Sequence, residues 1–118
     1  MNSNAKGKRF ERSVAALIRS FGWEARRGQQ YQGTPDSPDV QADMPLTIEC
    51  KHRQAWAVYD WLQKLLSERK HGTLPVIFAK KNHCDPLVII PADDFLEFCQ
   101  FTDLDGYERY KRLEDVRL

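Results

Sequence analysis

The segment Pro38–Lys51 limits what this chain can fold into more than any other. Asp39 opens one short run, Val40-Gln41-Ala42, and Glu49-Cys50-Lys51 closes a second run that begins at Leu46. Nine residues separate Asp39 from Glu49, and Asp43-Met44-Pro45 reads as the turn between the runs. Successive residues of a β-strand point to opposite faces, so Glu49 and Lys51 share a face and Cys50 takes the other. If the two runs pair as neighbouring strands, Asp39 arrives beside them. Two carboxylates and an ammonium around one point suit a divalent cation and the water it activates. That chemistry points to phosphodiester hydrolysis.

The remaining chain supplies alternating elements around this pair. Residues 7–21 place Phe10, Val14, Leu17, Ile18 and Phe21 at helical spacing, and Gly22 follows where a helix end favours a left-handed residue. Residues 23–27 read as a short strand and 28–35 as a polar loop. Residues 55–69 return to helical spacing, with Trp56, Tyr59, Leu62, Leu65 and Leu66 on one side. Two short apolar runs, 75–79 and 87–90, have the length of buried strands, and Pro91 leads into a helix near 93–100. The order α-β-β-β-α-β-β-α predicts the α/β class: a mixed central β-sheet flanked by helices.

With 118 residues the chain is expected to be one domain, with a core over about 6–100 and an acidic tail from 101 to 118. Chains longer than roughly 70–80 residues can build a core without disulfides. The three cysteines lack a pairable pattern, so reduced thiols in a cytoplasmic protein are expected. No apolar run approaches the roughly 20 residues needed to cross a bilayer, and no membrane partner is expected. The absence of GxxxxGK[ST] and GxGxxG argues against a nucleotide cofactor. His71, His83, Cys84 and Asp85 lack the spacing of a zinc site. Net charge is only +1, but seven cations face two carboxylates over residues 1–33, whereas residues 93–118 hold eight acids and four bases. A basic front fits a face offered to phosphates, although solvated surface charge gives the same asymmetry.

Each candidate has an ordinary alternative. Asp39 competes with Asp36 of the same Pro/Ser-rich segment, but only Asp39 runs directly into a strand. Glu49 and Lys51 alone could be an exposed strand pair, because Leu46, Ile48 and Cys50 already make a core-facing set. Glu11 sits at i, i+3, i+7 with Val14 and Ile18, at the rim of the apolar stripe. It reads either as a further metal ligand or as a surface residue favourable to the helix dipole. Cys50 is expected to pack in the core, and Ser13 and His52 lack the setting of a nucleophilic triad.

Asp39…Glu49-Cys50-Lys51 resembles the PD-(D/E)xK nuclease motif. The opening Lys6-Gly7-Lys8-Arg9-Phe10-Glu11-Arg12, followed by Leu17-Ile18, Phe21-Gly22 and Ala25-Arg26-Arg27, is similar to that of archaeal-type Holliday junction resolvases. The resemblance covers about residues 6–95. It implies a restriction-endonuclease-like core with Glu11, Asp39, Glu49 and Lys51 as the catalytic set, and Asp39, Glu49 and Glu11 as metal ligands. It further implies Mg²⁺ as cofactor, Mn²⁺ as a substitute, and Lys51 orienting or activating water. Lys6, Lys8, Arg9, Arg12, Arg26, Arg27 and Arg53 become the cations expected to hold DNA phosphates. The loop 28–38 is longer and richer in Gln than the family leads one to expect, and Thr34 or Ser37 is a candidate loop hydroxyl.

The function implied is metal-dependent resolution of four-way DNA junctions by paired symmetric cuts. One site per chain then requires a two-fold homodimer. Trp56, Tyr59 and Trp61 place aromatics on more than one side of their helix, one for the sheet and one for a partner subunit; a monomer whose aromatics only shield the sheet is the alternative. A nickase, flap or restriction-type nuclease of the same superfamily, or an inert DNA-binding module of the same fold, remain open.

Overall fold

A computed structural model describes residues 3–28 and 38–102. Its elements run α1 (Ser3–Ser20), β1 (Ala25–Arg27), β2 (Val40–Ala42), β3 (Leu46–His52), α2 (Val58–Glu68), β4 (Leu74–Lys80), β5 (Leu87–Ile89) and α3 (Ala92–Cys99). The five strands form one sheet in chain order. Among the described strands, β3 and β4 pair in parallel and the other neighbours are antiparallel. The expected element order and mixed sheet are therefore present. A parallel pair needs a crossover, and α2 with its flanking turns is that crossover.

Helix α1 lies over β1, β2 and β3. Phe10, Val14, Ala15 and Ile18 form its buried stripe and close on Val40 and Ile48. Leu17 and Phe21, expected on that stripe, are exposed, Phe21 by 71%. The chain turns away there: Gly22 adopts φ 95° and its amide donates to Arg19 O at 2.9 Å, a left-handed helix end that suits a residue without Cβ.

The other face of the sheet is covered as well. Leu65 packs on Ile77 and Ala79, with Trp56, Trp61 and Leu62 around them. The inner face of α2 is thus Trp61, Leu62 and Leu65, at i, i+1 and i+4. Tyr59 and Leu66, expected on the inner side, are 86% and 43% exposed. The helix also starts later than residue 55, because the Trp56 indole N–H donates to Arg53 O at 2.8 Å and holds the preceding residues in a turn. With α2 in place, the Thr47–Glu49–Lys51 face of β3 is no open edge. Thr47 is 5% exposed, and its hydroxyl meets that of Thr73 at 2.5 Å.

Candidate active site

Strand β3 sets the arrangement. Glu49 and Lys51, two residues apart, share a face, and the Lys51 ammonium lies 3.3 Å from Glu49 Oε1. Their side chains are only about one-fifth exposed, so the pair sits within the protein wall. Lys51 Nζ also stands 5.9 Å from the centre of the Trp61 ring, within cation–π range.

Asp39 reaches the pair from the entry to β2. Its amide donates to Ile48 O at 3.0 Å, and its Oδ2 accepts the Cys50 amide at 2.8 Å. The same backbone joins β1: the Gly28 amide donates to Asp39 O at 2.8 Å. Gly28 is buried, and a Cβ there would overlap the Pro38 carbonyl oxygen, so the position needs glycine to let the chain pass.

Glu11 comes from α1 above. Arg27 Nε of β1 lies 3.5 Å from Glu11 Oε2. The sequence gives no sign of this partner and groups Arg27 with the cations expected to hold DNA phosphates. Alternation along β1 separates the two arginines: Arg27 turns to Glu11, and Arg26 donates across to Gln41 Oε1 at 3.2 Å.

Burial raises the pKa of all three carboxyls, and they raise one another. Desolvation is the largest cause at each. Glu11 then adds to the effect at Asp39, Asp39 at Glu49, and Glu49 at Glu11. Opposing this are the Cys50 amide at Asp39, Lys51 at Glu49 and Arg27 at Glu11. Burial also pushes the Cys50 thiol far up, with the carboxylates adding to it, so Cys50 is no nucleophile.

Among the described residues, no three His, Cys, Asp or Glu side chains make a preformed metal cluster. The donor set suits Mg²⁺ nonetheless. That ion keeps several waters and takes one or two protein carboxylates plus substrate phosphates, rather than an all-protein cage. Asp39 and Glu49 are such a pair: they are close enough for a side-chain hydrogen bond, and the charge of Asp39 raises the pKa of Glu49.

The expected phosphate contacts divide into groups. Lys8, Arg9 and Arg12 are exposed on α1, and Lys8 is near enough to act on Glu11. Lys6 and Arg53 act on His52, which follows Lys51; the Arg53 guanidinium donates to His52 O at 3.2 Å. His52 itself packs edge-on against Phe10 and pairs with Asn82 at 2.9 Å, with its pKa lowered by burial. Arg26 stands apart. Thr34, Ser37 and the competitor Asp36 lie outside the described residues, as does the chain after residue 102.

Comparison with known proteins agrees with this fold and motif. Residues 2–103 match the family model described as "Phage putative PDDEXK endonuclease". The structure is similar to that of Archaeoglobus fulgidus Hjc, a Holliday junction resolvase from an archaeal hyperthermophile. The TM-score is 0.57 and the identity 24%, over 71% of this chain and 76% of that one. The core is therefore restriction-endonuclease-like. No curated protein matches the chain. Nucleases of this superfamily generally use divalent metal ions.

Proposed function

Since this chain belongs to the phage PDDEXK endonuclease family, we propose that it is a Mg²⁺-dependent, structure-specific DNA endonuclease that resolves four-way junctions. The observation that carries the reading is the meeting of Asp39, hooked to the Cys50 amide, with Glu49 and Lys51 on one face of β3. The whole chain acts as one nuclease domain in this reading.

Asp39 and Glu49 would hold the cation, with Glu11 as a further ligand directly or through water. The bound ion would supply charge neutralisation at the phosphate and a more acidic water. Lys51, 3.3 Å from Glu49 Oε1, would orient the attacking water and stabilise charge developing on the phosphoryl oxygens. The Cys50 amide aims Asp39 and favours its ionised form against burial. Arg27 favours the ionised form of Glu11 against burial. Exposed Lys8, Arg9 and Arg12 on α1, with Lys6 and Arg53, offer the phosphate contacts. Mn²⁺ should substitute, because the donors are hard oxygens.

Paired symmetric cuts require two sites, hence a homodimer. The likeness in fold to a junction resolvase supports this substrate. A flap, nicking or restriction-type nuclease is the second reading, favoured by the family description, which names an endonuclease and no junction. An inert DNA-binding module fits less well, since Asp39, Glu49 and Lys51 are all present and converge.

The test is cleavage of a labelled four-way junction with Mg²⁺, beside linear duplex, single strand and a 5′ flap. Symmetric paired nicks on the junction alone are expected. Cutting of linear or flap DNA instead replaces junction resolution by the second reading, and tight binding without any cutting leaves the inert module.

A further inference from the structure

A cavity of about 250 Å³ is lined by Trp56, Lys80, Lys81, Cys84, Asp85 and Leu87. It is smaller than the roughly 300–1,000 Å³ of pockets for drug-sized ligands, and so scaled to a single ring system. Trp56 supplies one wall. Its only polar atom, the indole N–H, is committed to Arg53 O at 2.8 Å, which leaves the π surface as what the ring can offer. The ring is also braced: its centre lies 6.0 Å from that of Trp61, which in turn stands 5.9 Å from Lys51 Nζ. The cavity is thus two ring contacts from the lysine of the proposed site. Strand register agrees, since Lys51 pairs with Ala79 and His52 with Lys80.

We propose that this pocket receives one unstacked nucleobase of the DNA substrate, stacked on Trp56 with the flanking phosphates held by Lys80 and Lys81. The inference deepens the nuclease reading and rests on it. An aromatic wall beside cations is the combination that binds single-stranded nucleic acid, where every base has a stacking face. Bases near a junction's crossover or a flap are the ones most cheaply unstacked, so such a pocket contributes to choosing structure over sequence.

The test measures binding of the metal-free full chain to a short oligodeoxynucleotide and to its fully abasic counterpart. A third strand carries 2-aminopurine as a stacking reporter. The native protein should bind the base-bearing strand about 5- to 150-fold more tightly and quench the reporter. Trp56→Ala, checked by circular dichroism for folding, should erase the preference, and Trp56→Phe should keep part of it. Trp23→Ala is the control, because Trp23 is half exposed and outside this pocket. Equal binding of the two strands by the native protein, which needs no variant, overturns the proposal. So does a preference lost with Trp23→Ala and kept with Trp56→Ala. Failure to bind any DNA overturns the nuclease reading as well, whereas binding without base preference removes only the pocket.

Discussion

Asp39 is the residue at which support and conflict meet: the Cys50 amide stabilises its charge at 2.8 Å, while burial and Glu11 raise its pKa. Asp39→Asn should lower cleavage by at least about 100-fold, because loss of a mere outer-shell partner of a metal site already costs roughly 10–100-fold. Junction binding should persist, and a variant that still cuts at the native rate would refute the assignment. The same substitution has a stability consequence whose sign follows from the raised pKa. A folded carboxyl that holds its proton more tightly than the unfolded one loses stability as pH rises above its ordinary value, 3.8 for Asp39. Metal-free Asp39→Asn should therefore melt above the native protein at pH 7, with the gap closing as pH falls toward that value. Mg²⁺ should raise the Tm of the native protein and leave that of the variant nearly unmoved. Thermal melts across pH, with and without metal, check both. Residues at this scale were legible where strand alternation alone decides, as for Glu49 and Lys51. The pairing of Arg27 with Glu11 was not, because it joins two elements 16 positions apart and depends on how α1 crosses β1.

At the scale of elements, β1 and β2 matter because their junction aims Asp39. Gly28→Ala places a methyl against the Pro38 carbonyl oxygen, a backbone atom that cannot swing aside. The substitution should destabilise the fold by about 1–3 kcal/mol and reduce cleavage beyond what the lost stability explains, read by urea denaturation beside kcat. Core strand β3 gives the contrasting case. Ile48 is fully buried between α1 and the sheet, so Ile48→Ala should cost about 2–5 kcal/mol in urea denaturation. Element order and type were readable from periodicity, as in α1, where Phe10, Val14 and Ile18 do face the core. The phase of α2 was not. Leu66 and Tyr59 look as apolar as Trp61 in the sequence, and only the parallel crossover to β4 decides which of them faces Ile77. Gly28 was equally silent, since its requirement is set by Pro38, ten positions away.

For the whole molecule, paired cutting predicts a dimer, so light scattering at micromolar concentration should give twice the 13.8 kDa chain mass. A species of 13.8 kDa alone would count against junction resolution and leave the metal site untouched. The overall charge of +1 hides the cations of α1, which should show instead as junction affinity that falls steeply with added salt. The amide of Gly28 and the carbonyl of Asp39 tie together the two points between which residues 29–37 leave and rejoin the sheet. That bond fixes the entry to β2 from the described side, so variants with residues added between 29 and 37 should keep the Tm shift that Mg²⁺ produces at Asp39. The aim of the carboxylate is in that sense a property of the strands themselves, set by the bond between Gly28 and Asp39.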